Sequence, residues 1–166
     1  MEIFVVDSNF FIQAYRLHYP FDVVPGFWLQ VKRLAEEGRI ISIDKVRDEI
    51  YRNEDALKIW CTEHLPVDFF KETSGIISQY QSVTSWAVSR SNHYTTVALR
   101  VFLDAEEADA WLVSYALADK ATFTLVTHER SDPNRKNNIK IPQACQPFGV
   151  NYINTIEMFR KMGVRF

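Results

Sequence analysis

Residues Ile3 to Val6 form an unbroken apolar run that stops at Asp7-Ser8-Asn9. A strand that is apolar at every position must be covered on both faces, as the inner strands of parallel sheets are. The run therefore predicts a central parallel strand that ends in a polar turn. Two further strands are legible. Arg39 to Ile43 follows the amphipathic stretch Trp28 to Glu37, which stops at Gly38, and the β-branched and aromatic run Thr122 to Thr127 closes at Thr127-His128-Glu129. A short fourth strand, Val150 to Ile153, precedes Asn154-Thr155-Ile156-Glu157, the pattern of a capping box for a last helix ending before Gly163.

Helical patterns fill the intervals. Phe10 to Leu17 reads as a helix with Ser8 or Asn9 as N-cap, Asp44 as the cap of another running through Tyr51, and Glu106 to Leu117 as a strongly apolar helix. Asp55 to Leu103 reads as an all-helical insertion with breaks at Ser74-Gly75 and at Ser89 to His93. Strands alternating with helices predict a three-layer α/β/α sandwich with a mainly parallel central sheet, the helical insertion lying mid-chain and residues 1–166 making a single domain.

Composition agrees with that architecture. With 47% hydrophobic residues, including twelve Phe, seven Tyr and four Trp, the chain can fill one core without a disulfide or zinc staple. Cys61 and Cys145 stand far apart and outside any CxxC or Cys/His pattern, which reads as two reduced, buried thiols. No apolar run approaches the roughly twenty residues of a membrane span. Met1-Glu2-Ile3 also lacks a basic leader, so the expected location is cytoplasmic, away from membrane. A formal charge of −2 excludes a global basic field, though not a local one.

In open parallel sheets ligands bind beyond the carboxyl ends of the strands. Asp7 ends the first strand and Glu129 lies just past the Thr122 to Thr127 strand, so both carboxylates can reach one sheet edge. Glu49 follows the second strand by one short helix, where Val46, Ile50 and Asn53 put it at the border of the apolar face. Asp109 stands on a stripe with Ala105, Leu112, Val113 and Ala116. An unpaired buried carboxylate costs several kcal/mol or more, so Asp109 requires a cation, a proton or a hydrogen-bonding partner.

Each acid has a plainer reading. Asp7 can accept backbone N–H groups at its turn, Glu49 can be a solvated helix residue, Glu129 can pair with Arg130 or a neighbouring lysine, and Asp109 can pair with an arginine such as Arg100. Together, four converging acids repel one another unless a hard divalent cation joins them. Oxygen ligands with few histidines favour Mg²⁺ or Mn²⁺, and phosphodiester hydrolysis is the chemistry this suggests.

The motifs resemble those of the PIN-domain nucleases: Val5-Val6-Asp7-Ser8-Asn9 at the opening strand and turn, Asp48-Glu49-Ile50 at the second acidic position, Ala108-Asp109-Ala110 at the third, and Leu125-Val126-Thr127-His128-Glu129 at the fourth. More narrowly, Tyr19-Pro20-Phe21-Asp22 with Pro25-Gly26-Phe27-Trp28, and Lys140-Ile141-Pro142 with the Asn154-Thr155-Ile156-Glu157 tail, resemble an uncharacterised bacterial PIN-like family. Its members are often suspected toxins of toxin–antitoxin pairs, adjacent to helix-turn-helix regulators. The resemblance implies an α/β/α unit in which Asp7, Glu49, Asp109 and Glu129 bind Mg²⁺ or Mn²⁺ and cut RNA, with Ser8, Asn9 and Thr127 as polar supports. The fourth position commonly holds Asp, and Glu129 is one methylene longer.

Arg130, Arg135, Lys136 and Lys140, in the loop after the fourth acid, are candidate RNA-backbone ligands, with a solvated loop as the simpler alternative. If residues 127–129 continue the strand, Thr127 and Glu129 share a face and His128 points away. Tyr15, Tyr19, Phe27 and Trp28 are candidates for base stacking or, more simply, for core or homodimer packing.

The expected activity is a metal-dependent ribonuclease, the toxin of a toxin–antitoxin pair. The alternative is a catalytically weak PIN-like shell that binds protein or RNA. A haloacid-dehalogenase-like phosphatase wants a second Asp where Asn9 stands. The chain carries neither a GxSxG elbow nor a GxxxxGK[ST] loop.

Overall fold

The computed structural model describes residues Met1 to Phe166. Five strands form one all-parallel sheet: β1 Ile3–Val6, β2 Ile40–Ile43, β3 Phe70–Lys71, β4 Phe123–Val126 and β5 Asn151–Ile153, in the order β3-β2-β1-β4-β5. β1 is central, as its apolar run requires, with Val5 paired to Ile41 on one side and to Leu125 on the other. Val5 and Val6 are fully buried. Removing such side chains from water stabilises the fold by about 1.5–3 kcal/mol each, which is why a strand uniform in Val, Ile and Phe cannot sit at an edge.

Nine helices flank the sheet: α1 Ser8–Gln13, α2 Pro25–Glu36, α3 Asp44–Tyr51, α4 Ala56–His64, α5 Ile77–Ser89, α6 Thr96–Phe102, α7 Ala108–Ala118, α8 Ile141–Cys145 and α9 Thr155–Met162. Connections stepping from β1 to β2 to β3 and those returning to β4 and β5 fall on opposite faces when crossovers are right-handed, giving the α/β/α layers expected. α2 meets α9 through Phe27 and Phe159, whose ring centroids lie 5.8 Å apart. α7 packs on β4 and α3 and is covered in turn by α5. It is therefore buried nearly all round rather than along one stripe.

Several local expectations are revised. The cap of α1 is Asp7, not Ser8 or Asn9: its backbone is extended and its carboxylate accepts the Phe10 N–H at 2.9 Å, so the next two residues are already helical. The helix then relaxes into one π-helical turn, Ala14–His18. Asp44 does not cap α3. It is the first helical residue, and its carboxylate holds Thr73 through the backbone N–H at 3.1 Å and the hydroxyl at 2.9 Å.

The stretch Asp55 to Leu103 is not all-helical. It contains β3, which pairs Phe70 with Ser42 and Lys71 with Ile43. Two residues are too few to display a strand period. α7 begins at Ala108 because Asp104 closes a turn before it, accepting from Glu106 N at 2.9 Å with its carboxylate. Ala105 is consequently an exposed turn residue and not part of the stripe around Asp109.

The capping box at α9 forms as its residues require, with Asn154 accepting from Glu157 N at 2.8 Å and Glu157 accepting from Asn154 N at 3.3 Å. Gly38 ends α2 at φ +69° and Gly163 ends α9 at φ +66°, a backbone region that favours glycine. Cys61 and Cys145 are free and buried, and burial pushes the Cys61 thiol up to about 12. No helix is long and apolar enough to cross a membrane.

Candidate functional site

From β1 the chain steps outward through β2 to β3, then returns to the other side of β1 for β4 and β5. The order reverses between β1 and β4, where parallel open sheets leave a crevice at their carboxyl ends. Asp7 follows one of these strands and Thr127 the other. Thr127 is buried, and its backbone N–H is tied to the Ile153 carbonyl at 2.9 Å.

α3 delivers Glu49 to the same edge. Its two carboxylate oxygens accept from the Ser8 hydroxyl at 2.7 Å and from the Ala108 N–H at 2.9 Å. Glu49 thus joins the turn after β1 to the first residue of α7, and Asp109 is the next residue along. Glu129 hangs from the turn after β4, with its N–H donating to the Thr127 hydroxyl at 3.1 Å and its carboxylate accepting from Ile141 N at 3.0 Å.

No lysine, arginine or histidine nitrogen lies within 4.0 Å of Asp7, Glu49, Asp109 or Glu129; the seven ion pairs of the chain are all elsewhere. The alternative pairings, Glu129 with Arg130 or a lysine and Asp109 with Arg100, do not form. Burial pushes the Asp7 carboxyl up to about 7. The Phe10 amide and Thr127 hydroxyl act against that shift, while the charges of Glu129 and Glu49 add to it. Asp109 is raised well above the ordinary carboxylate range, first by burial and then by Glu129, Asp7, Glu49 and Glu107. Glu129 is raised by burial, against the Ile141 amide and the charge of Lys140. Asp7 and Asp109 therefore feel the charges of Glu49 and Glu129 across a low-dielectric crevice, and the one cation acting on the group is Lys140, on Glu129.

The donor set is all oxygen, the chemistry of Mg²⁺ or Mn²⁺ sites. As placed, no three Asp, Glu, His or Cys side chains close around one point. Three of the four acids, Asp7, Glu49 and Glu129, accept from backbone amides instead. A small hard cation that keeps several waters fits such an open arrangement better than one needing an all-protein cage.

The remaining candidates divide. Ser8 supports Glu49, and Thr127 stands between Asp7 and Glu129. Asn9 is half-buried on α1, and its side chain makes no hydrogen bond to the acids. β4 stops at Val126, so residues 127–129 form a turn rather than strand, yet Thr127 is still buried while His128 is exposed. The basic loop is not one patch. Arg135 pairs with Asp132 at 3.2 Å, Lys136 is exposed, and Lys140 caps α8 near Glu129, while Arg130 lines a cleft. Phe27 and Trp28 are core residues, with no face free for a base.

That cleft, of about 580 Å³, lies beyond the ends of β4 and β5 and shares Thr127 and Glu129 with the acids. The sequence pattern does not reveal it. His18 at the end of the π-helical turn, Tyr19 just after it, Tyr152 and Arg160 meet there only because that turn, β5 and α9 converge. Arg160 offered one faint signal, a cation on the polar face of a helix opened by a strong cap. No curated protein and no solved structure matches the chain. A family model described as a domain of unknown function, DUF4411, matches residues 4–166. The match leaves out only the first three residues, and the chain belongs to the DUF4411 family.

Proposed function

We propose that this protein is a divalent-cation-dependent ribonuclease of PIN-like type, acting in the cytoplasm as the toxin of a toxin–antitoxin pair. The observation that carries the catalytic reading is the set of four acids at the sheet's switch point with no cationic partner. Folding alone gives no reason to gather like charges where burial already disfavours ionisation. The toxin role rests on the sequence resemblance.

Asp7 and Asp109 would hold the cation, and Glu49 and Glu129 would complete its shell or position water. When bound, Mg²⁺ or Mn²⁺ makes a coordinated water a stronger nucleophile at neutral pH and stabilises charge on the phosphate. Ser8 and the Ala108 amide fix the Glu49 carboxylate between α1 and α7. The Thr127 hydroxyl orients Asp7 while receiving the Glu129 N–H, as outer hydrogen bonds orient ligands in metal sites.

The test is incubation of purified protein with a mixed RNA pool in Mn²⁺ or in EDTA. Cleavage only with Mn²⁺, leaving 5′-phosphate and 3′-hydroxyl ends, is the expected result. Cleavage in EDTA, or 2′,3′-cyclic ends, refutes the scheme. A second reading, a PIN-like shell that binds without turnover, is favoured by one feature: Glu49 and Glu129 both spend oxygens on backbone amides. Calorimetry without any Mn²⁺ heat, together with stable partner binding, selects it.

A further inference from the structure

The cleft beyond β4 and β5 has Thr127 and Glu129 in its wall, while Asp7, Glu49 and Asp109 lie outside it. Two guanidinium groups line it, Arg130 from the turn after Glu129 and Arg160 from α9. Neither has a carboxylate within 4.0 Å, and neither side chain makes a hydrogen bond. Arg33, Arg47 and Arg135 pair with carboxylates, while Arg16, Arg39, Arg90, Arg100 and Arg165 also lack a partner; what sets Arg130 and Arg160 apart is that both line one concavity. Two unpaired forks facing one concavity match a phosphate, which accepts planar, bidentate donation.

The rest of the wall is equally specific. Tyr19 stacks one face on Phe27, with centroids 4.3 Å apart and planes 7° from parallel, which fixes its ring rigidly at the cleft. His18 and His128, 110 residues apart in sequence, bring their rings together with centroids 6.3 Å apart and planes tilted by 43°. Both belong to exposed side chains, which leaves ring faces open to stacking by an unpaired base. Thr155, at the start of α9 on the same wall, has a buried hydroxyl oxygen with no hydrogen-bond partner.

We propose that this cleft seats one unpaired nucleotide of a single-stranded RNA, its phosphate between Arg130 and Arg160 and its base against the His18, His128 and Tyr19 rings. The assignment rests on the ribonuclease reading in one respect: it makes this nucleotide the neighbour of the phosphate presented to the acids. It predicts preference for single strands, because a paired base has no free face to offer the rings.

The experiment is fluorescence anisotropy with a short labelled single-stranded RNA, and with the same strand in a duplex, in EDTA, alongside Mn²⁺-dependent cleavage. The single strand binds and the duplex binds at least about tenfold more weakly. Arg160→Ala weakens single-strand binding about tenfold and lowers the slope against log salt by about 0.7. Arg160→Lys recovers part of the loss, and Arg33→Ala, outside the cleft lining and paired with Glu37, changes nothing.

Arg160 is exposed and its side chain is unbonded, so its variants keep the wild-type melting temperature; Arg130→Ala is the independent second variant. Mn²⁺-dependent cleavage with unchanged affinity in both arginine variants overturns the cleft and spares the nuclease. Arginine-dependent single-strand binding without cleavage in any divalent ion keeps the cleft and removes the nuclease. Equal binding of duplex and single strand overturns the stacking assignment.

Discussion

The two ends of β1 carry acids treated in opposite ways. Glu2, before the strand, accepts the Thr124 hydroxyl at 2.6 Å and the Lys161 ammonium at 2.8 Å, and these partners hold its carboxyl below the usual range. Asp7, just past the other end, has no cation, and burial among other acids pushes it up to about 7. The same sheet thus neutralises a carboxylate where only stability is at stake and leaves one uncompensated at its switch point. Stability is given up at that edge, a pattern common at functional sites.

The largest expected effect breaks the contrast chemically. Asp109→Asn removes a raised carboxylate, so Mn²⁺-dependent RNA cleavage falls by about 10³-fold or more, while the melting temperature in EDTA rises rather than falls. A gel assay and a thermal melt on the same preparation check both parts.

Next comes pH. Asp7 binds its proton more tightly in the folded chain than in the unfolded one, so its stabilising contribution is full below about pH 4 and is lost as pH rises through about 7. Between those values, metal-free stability falls by an amount on the order of 3 kcal/mol, and Asp7→Asn flattens the profile. Glu2 has the opposite sign. Its carboxyl is lowered, so its contribution is present above the unfolded value of 4.5 and disappears as pH falls toward and below it. Urea melts from about pH 2.5 to 8 separate the two arms.

Mn²⁺ should restore what the acids lose. At a hundred times its dissociation constant it adds about 2.7 kcal/mol to wild-type stability and much less to Asp109→Asn, as calorimetric scans can establish. The smallest effect is at the other end of the strand. Glu2→Gln costs about 0.5–1 kcal/mol, since the lysine it leaves is solvent-exposed. A gain in stability from that change would erase the contrast between the two ends.

Much of this fold is legible in short windows. The apolar tetrad Ile3–Val6, closed by the polar turn Asp7-Ser8-Asn9, reads as a central strand, and Asn154-Thr155-Ile156-Glu157 reads as the start of a helix, because both patterns act between near neighbours in sequence. The misses share one cause. β3 is recognisable only through its pairing with β2, and Asp44 left its capping role because Thr73 reaches it from 29 residues away. For Asp109 the sequence pointed to a buried acid for a reason that only partly holds: α7 is buried almost all round, and what singles the residue out is its place in the first turn beside Glu49's amide partner.

The sequence by itself determined four of the five strands, the polar ends of β1 and β4 and the order of the four acids, since hydrophobic periodicity and capping are local. The tertiary structure decided that those ends meet at β1 and β4, that no cation accompanies the acids, and that two arginines stand free in the adjoining cleft. Strand order and the absence of a counter-charge depend on groups far apart in the chain, and no local pattern encodes them.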